Sequence, residues 1–159
     1  MVYISRLFIT VLTFISFFSW GELLDDKYVV CNATEGTKTK KNSFYPVRGF
    51  SFQGNKVQLT FVQISGNGGR KDIYEIRKDN YITNPDFIEW GEFEEYQLNR
   101  KNLKLRINKS LNLRDPDYHY YNCELSDKKN FKKTMEKYAE IEQDAVREAW
   151  EKATEGNKI

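Results

Sequence analysis

The chain has few of the residues from which catalytic and metal sites are usually built. Its 159 residues contain one histidine, His119, and two cysteines, Cys31 and Cys123. A Ser-His-Asp triad has only one candidate base here, and a zinc site built from several His or Cys side chains lacks its ligands. We therefore expect no catalytic, cofactor-binding or metal-binding residues. His119 lies in an aromatic run, where we expect it at the surface or stacked on a ring.

The chain also lacks an excess of positive or negative charge. The 25 Lys and Arg residues nearly balance the 23 Asp and Glu residues, which leaves a formal net charge of +2. Because the two signs nearly cancel, the protein has no broad electrostatic field that would attract nucleic acid or an acidic membrane. We expect no nucleic-acid partner.

Long apolar runs are absent except at the N-terminus. There Arg6 precedes the apolar run Leu7 to Trp20, about fourteen residues, which is short for a membrane span and typical of a signal peptide. Gly21 follows as a small residue at a suitable cleavage position. We predict that residues 1–21 are a signal peptide and that the protein is secreted or periplasmic, with no membrane span after cleavage. An uncleaved N-terminal anchor is the alternative.

Export gives the two cysteines a simple interpretation. In an oxidising compartment an even pair most simply forms a disulfide. Cys31 and Cys123 each sit in a strand-like run, so a bond between them would join the first and last strands and close a loop of about ninety residues. The alternative is two free or metal-binding thiols, which the absence of a Cys-x-x-Cys spacing disfavours.

Short runs of alternating apolar and polar residues fill the chain between the cysteines. The clearest is Tyr96 to Ile107, which reads as a hairpin whose apolar face packs on neighbouring strands. An aromatic share of 15% suits a ring-filled β core. We predict that residues 22–125 form a mainly β domain, either a small antiparallel meander barrel or a two-layer sandwich of about eight strands. The expected partners of the hairpin are Phe50, Phe52, Ile88 and Trp90.

After Ser126 the spacing of apolar residues changes from the period of two typical of strands to the spacing typical of a helix. Lys128 to Glu155 contains neither proline nor glycine, and Ser126 or Asp127 provides a cap. We predict one long C-terminal helix within residues 126–159 that covers an open barrel end or a sheet edge, with a coiled-coil seam as the alternative. Its second half is expected to project, and Trp150 is the candidate contact with a partner. The side chains expected to face the β domain are Phe131, Met135 and Tyr138.

A cluster of carboxylates precedes and opens the hairpin. A glycosidase needs two carboxyl groups in one cleft, one of them with a raised pKa, whereas charge clusters on strands are usually solvated. The cluster therefore supports either a hydrolase of a wall or polysaccharide substrate or a plain solvated face. Its members are Asp86, Glu89, Glu92, Glu94 and Glu95.

Four short motifs resemble uncharacterised small exported β-proteins of bacteria. They are Cys31, Ile88-x-Trp90, the stretch Leu98 to Leu105, and Tyr121-x-Cys123. The resemblance implies a disulfide-tied β domain and no known activity. A barrel tied by a first-to-last disulfide is also similar, more distantly, to the periplasmic inhibitors of C-type lysozyme. Their Ser-Gly-x-x-Tyr stretch is not kept, because Gly69 stands in the position of the tyrosine, so no inhibitory residue is carried over.

These patterns favour a non-enzymatic function. We expect an exported small β domain that acts as a binding or cell-envelope module toward an unknown protein or envelope ligand. One alternative is an inhibitor of a secreted enzyme, similar to the lysozyme inhibitors. The other is a carboxylate-dependent hydrolase.

Overall fold

The computed structural model describes residues 24–39, 45–65, 70–92, 94–110, 112 and 114–155. The predicted signal peptide lies outside the described residues, as do residues 66–69, which follow the serine of the Ser-Gly stretch. The elements, in order, are β1 Lys27–Ala33, α1 Glu35–Lys38, β2 Val47–Gln53, β3 Lys56–Ser65, β4 Arg70–Thr83, β5 Phe87–Trp90, β6 Glu95–Asn99, β7 Lys104–Asn108, β8 Tyr118–Ser126 and α2 Lys128–Glu155.

The eight strands form one closed barrel of the meander type. Each strand pairs antiparallel with the next, and β8 returns to pair with β1. This closure decides between the two predicted architectures, because a sandwich would leave two separate sheets. The predicted mainly β fold followed by a long helix is confirmed.

Some local sequence signals are overridden by the sheet. Asp79-Asn80 is a pair typical of turns, but β4 runs through both residues because they pair with Val57 and Lys56 of β3. Residues 32–42 show no period and are typical of a loop, yet β1 extends to Ala33 and the short helix α1 follows.

Large side chains fill the barrel interior. Alternate residues of each strand point inward, as the period-two pattern of the sequence predicts. The ring of Trp90 stacks on Tyr96 with centroids 5.2 Å apart and meets the edge of Phe50 at 5.1 Å. The predicted partners of the Tyr96–Ile107 hairpin therefore share its core. The buried cluster contains Val29, Phe50, Phe52, Val57, Ile88, Trp90, Tyr96, Leu98, Leu105, Ile107 and Tyr121.

The predicted disulfide closes this barrel at its seam. Cys31 and Cys123 are bonded, 92 residues apart in sequence. The two residues are direct cross-strand partners in β1 and β8. The bond therefore ties together the first and last strands, as the sequence predicts.

Helix α2 packs on the outer wall of the barrel. Phe131 and Met135 are buried against Val30 and Val47, and the hydroxyl of Tyr138 donates to Asn32 Oδ1 at 2.6 Å. The expected helix face is thus confirmed. The helix does not cover a sheet edge, because the closed barrel has none. It packs instead on the outward-facing apolar side chains Val30 of β1 and Val47 of β2.

The ends of α2 differ in their contacts. The carboxylate of Asp127 accepts the backbone N–H of Asn130 at 2.9 Å, which confirms the predicted cap. Trp150, near the other end, is 67% exposed, and its role as a partner contact stays a prediction. Within the described part of the chain, no helix is sufficiently long and apolar to cross a membrane.

We expect the disulfide to contribute a large part of the stability. Replacing both Cys31 and Cys123 by Ala removes a constraint that closes a 92-residue loop, and chain entropy gives about 4–5 kcal/mol for such a loop. Urea denaturation of the double variant should show a loss of that size relative to the oxidised protein. A loss below about 1 kcal/mol would contradict the entropic account.

Gly49 provides a test of the helix docking. A Cβ at Gly49 would lie 2.5 Å from the ring of Phe131, so Gly49→Ala forces the helix or its ring away from the wall. We expect a loss of about 1–3 kcal/mol, measured by thermal or urea denaturation. The matched control is Gly36→Ala in α1, where nothing lies within 4 Å of the new methyl group. Equal stability of the two variants would show that α2 does not pack as described.

Candidate functional site

An arginine lies inside the barrel near the end where β2 begins. Arg48 has the same alternation phase as Phe50 and Phe52, so it points inward, while Gly49 points outward beneath α2. The Arg48 residue is 1% exposed. In the sheet it lies beside Cys31 on one side and Phe61 on the other. A charged side chain so deeply buried needs partners that offset its desolvation.

One nitrogen of Arg48 has two hydrogen-bond acceptors. Its Nη1 donates to Glu94 Oε2 at 3.2 Å and to the hydroxyl of Tyr96 at 2.9 Å. The Tyr96 hydroxyl in turn donates to the same carboxylate oxygen of Glu94. The three groups therefore form a closed triangle, in which Glu94 accepts from both partners.

Tyrosine rings surround the same guanidinium group. Its carbon Cζ lies 5.1 Å from the ring centroid of Tyr45, 5.6 Å from that of Tyr121 and 5.8 Å from that of Tyr96. These distances are within cation–π range. The hydroxyl of Tyr121 donates to the carbonyl oxygen of Tyr45 at 3.2 Å, which joins two of the three rings.

The other edge of the guanidinium forms no well-aligned hydrogen bond, although the Tyr121 hydroxyl interacts with the guanidinium. Nε and Nη2 of Arg48 are buried, and no hydrogen-bond partner for them exists among the described residues. A buried donor without a partner costs about 1–3 kcal/mol. These two nitrogens lie on the same side of the planar group, where their N–H bonds form the fork that matches two oxygens of a carboxylate.

Arg48 and Glu94 both stay charged although they are partly or fully buried. Burial opposes the charge of Arg48, but Tyr96, Tyr121 and Glu94 outweigh it and raise its pKa. Burial likewise pushes the pKa of Glu94 upward, but Arg48 and the hydrogen bonds from Tyr96 and Arg48 overcome this and lower it. Burial raises the pKa of Tyr96, which therefore stays a neutral donor. At neutral pH the site holds a cation, a carboxylate and a phenol.

A cavity of about 240 Å³ adjoins these groups, and we call it the Arg48 cavity. Its wall combines a mainly apolar surface from β3 and β5 with polar groups from β2, β4 and the β5–β6 connection. The lining residues are Tyr45, Arg48, Val57, Leu59, Phe61, Asp79, Trp90, Glu94 and Tyr96.

Gly91 allows Glu94 to reach the cavity. Its φ of 104° is a conformation that favours glycine. A Cβ there would overlap the backbone carbonyl oxygen of Glu94 and crowd the ring of Tyr96. The chain therefore turns tightly after β5, which brings Glu94 within hydrogen-bond distance of Arg48 and Tyr96.

The other carboxylates of the predicted cluster do not join this site. Glu89 accepts from Gln97 at 2.6 Å, and Glu95 accepts from Asn108 at 3.2 Å. Both line an open depression of about 490 Å³ on the outer wall together with Arg106. In the same cluster, Asp86 pairs with Lys101 at 2.6 Å and Glu92 is exposed.

Of the two positions expected for His119, at the surface or stacked on a ring, the surface position is wrong. The side chain is fully buried, and its Nε2 lies 2.9 Å from Asp117 Oδ2. The reason is closure, because His119 shares the inward phase of Tyr121 and Cys123. In the part of the chain that is described, no three His, Cys, Asp or Glu side chains are placed to hold a metal ion.

Arg48 was missed by the sequence analysis, although a signal for it existed. The alternation Arg48, Phe50, Phe52 is visible in the sequence and places the arginine on the apolar face. Glu94 was noted only as a member of the carboxylate cluster, and Tyr121 only as part of the Tyr121-x-Cys123 motif. Their convergence on Arg48 spans 46 and 73 residues of sequence, and only the barrel register brings them together.

No protein-family model, curated protein or solved structure matches this chain. The geometry of the Arg48 cavity therefore carries the functional interpretation. The resemblance to small exported bacterial proteins stays an expectation from the sequence motifs.

The Arg48–Glu94 pair should make stability depend on acid pH. Because the folded-state pKa of Glu94 is lowered from its ordinary value of 4.5, the unfolded chain binds the proton more readily. The contribution is present above pH 4.5 and is lost as the pH falls through the lower folded-state value. Urea denaturation at a series of pH values should show this loss for the wild type.

Glu94→Gln removes this titration. We expect it to be less stable near neutral pH, by about 1–3 kcal/mol, and to lose less stability on acidification. Glu92→Gln is the matched control, because it removes one negative charge from the same loop without touching Arg48. If Glu94→Gln and Glu92→Gln give the same pH profile, the pair does not act as described.

Proposed function

We propose that this protein is an exported, non-enzymatic binding module that takes up a small ligand in the Arg48 cavity. The observation that carries the proposal is a cavity of about 240 Å³ that is lined by a buried arginine, its carboxylate partner and several apolar side chains. Eight-stranded barrels have interiors that either fill with side chains or hold one small ligand. Here the core fills one part of the barrel and leaves space beside its only described buried arginine.

The electrostatics of the site favours binding over catalysis. A general acid needs a raised pKa at neutral pH, whereas the pKa of Glu94 is lowered by Arg48. The carboxylate is also engaged by two hydrogen-bond donors, Arg48 and Tyr96. These constraints support a fixed recognition site.

One observation favours the hydrolase as the second candidate. Asp79 lines the Arg48 cavity together with Glu94, so two carboxyl groups face the same space. A pair of carboxyl groups is the basic requirement of glycoside hydrolysis.

The covalent chemistry supports the proposed location. The Cys31–Cys123 disulfide is consistent with an oxidising compartment. Together with the predicted signal peptide, this supports a secreted or periplasmic module. The ligand would then be a small molecule of that compartment or the cell envelope.

The proposal is tested by small-molecule binding to the mature protein. Trp90 lines the cavity, and Trp150→Phe leaves it as the sole tryptophan once the predicted signal peptide is absent. The probes are phenylacetate, phenylacetamide, hexanoate and hexanamide. We expect at least one of them to change the Trp90 emission saturably, with a Kd that rises at least tenfold when Leu59→Phe narrows the cavity.

A matched Leu→Phe change provides the control. Leu125, near the C-terminal end of β8, is exposed and does not line the cavity. Leu125→Phe should therefore bind the probe as the parent protein does. Absence of saturable binding by all four probes would overturn the proposal. Hydrolysis of a wall oligosaccharide by the parent protein, abolished by both Glu94→Gln and Asp79→Asn, would favour the hydrolase instead.

A further inference from the structure

The Arg48 cavity presents negative charge to a molecule that enters it. Among the described residues, the charged side chains that line it are Arg48, Asp79 and Glu94, which carry one positive and two negative charges. The guanidinium is the least accessible of the three, because Arg48 is only 1% exposed. The side chain of Glu94 is 32% exposed, and Asp79 is half-buried. A ligand therefore reaches the carboxylates more readily than the cation.

The strand register directs Asp79 toward the inside of the barrel. Its cross-strand partner in β3 is Val57, which is 1% exposed and belongs to the core. Residues that lie directly opposite each other in an antiparallel pair point to the same side of the sheet. Leu59 also packs against this core and lines the cavity. The Asp79 carboxylate therefore lies beside apolar side chains of β3.

The two carboxylates differ in how their charges are offset. Glu94 accepts hydrogen bonds from Arg48 and Tyr96, and Arg48 lies beside it as a counter-ion. For the Asp79 side chain, no hydrogen bond or ion pair occurs with any residue in the described ranges. A half-buried carboxylate without a cation beside it gains from a ligand that brings positive charge.

Aromatic rings supply further groups that suit a cation. The rings of Tyr45 and Phe61 meet with centroids 4.3 Å apart, and Trp90 stacks on Tyr96 at 5.2 Å. All four residues line the cavity, and aromatic enclosures are a common means of recognising ammonium groups. The volume of about 240 Å³ equals about eight water molecules at about 30 Å³ each. This space suits one ring or a short hydrocarbon chain with an ammonium group.

We infer that the Arg48 cavity binds a small apolar amine as its ammonium ion, which pairs with Asp79 while the hydrocarbon part contacts Val57, Leu59 and Phe61. This inference rests on the proposed function and names the ligand class of the same site. No bond is made or broken in the complex. The unpaired carboxylate selects for positive charge, and the apolar wall selects against small hydrated cations, which have no hydrocarbon surface to bury.

The experiment compares an amine with its neutral isostere. Titrations of the mature Trp150→Phe protein at pH 7 use 2-phenylethylamine, which is protonated there as a lysine side chain is, 2-phenylethanol and phenylacetate. The Trp90 emission is the readout, and calorimetry is the check. We expect the amine to bind at least tenfold more tightly than the alcohol and phenylacetate to bind most weakly.

Asp79→Asn removes the proposed counter-ion with little change of shape. The affinity for 2-phenylethylamine should fall at least fivefold, while that for 2-phenylethanol should change less than twofold. Asp86→Asn is the matched control, because it makes the same change of net charge, but Asp86 pairs with Lys101 and does not line the cavity. It should leave amine binding within twofold of the parent. An equal loss in the two variants would overturn the inference.

The outcomes separate the inference from the proposed function. If the amine and the alcohol bind equally and Leu59→Phe weakens both, the amine inference fails while the binding function stands. Tightest binding by phenylacetate, or amine binding that Leu59→Phe leaves unchanged, would also overturn the inference. If Asp79→Asn does not fold, as judged by circular dichroism, the comparison of amine with alcohol decides. If none of the probes used in either titration binds the parent protein, both proposals fail.

Discussion

The pairing of β8 with β1 is the constraint on which the rest of this structure depends. It converts a meander of short hairpins into a closed surface, so every second residue of each strand is enclosed whatever its chemistry. That is how Arg48 and His119 come to be buried in strands that also carry aromatic side chains. The disulfide lies in this seam, and Cys31 is the register neighbour of Arg48. The covalent closure and the candidate site therefore share one part of the barrel.

The burial of Arg48 is compensated on one edge only. A carboxylate, a phenol and three aromatic rings surround the guanidinium, and these contacts keep it charged against the cost of desolvation. A purely structural arginine would gain further by closing its second edge with a backbone carbonyl or a second acid. The chain instead leaves that edge buried without a hydrogen bond, and a cavity lined in part by apolar side chains adjoins the arginine. This cavity and the charged groups that line it are the physical basis for assigning recognition to the site.

Much of the fold could be predicted from sequence because its signals are local. The alternation in Tyr96 to Ile107, the helical period after Ser126 and the even cysteine pair each depend on neighbouring residues or on simple counting. The inward face of Arg48 was also readable, since Phe50 and Phe52 share its phase. The meeting of Arg48 with Glu94 and Tyr121 was not readable, because it depends on the register of distant strands. The buried position of His119 was missed for the same reason, because only closure of the barrel decides which face of a strand points inward and which faces solvent.

The seam also fixes the order in which the barrel can be completed during synthesis. Cys31 and Cys123 are 92 residues apart, which at 5–20 residues per second corresponds to about 5–20 s of translation. During that time β1 can pair with β2, but its other edge has no neighbour, and a free strand edge invites pairing with other chains. The first strand made is thus the last to gain its second neighbour. This topology makes the nascent chain, more than the finished barrel, the stage at which aggregation competes with folding.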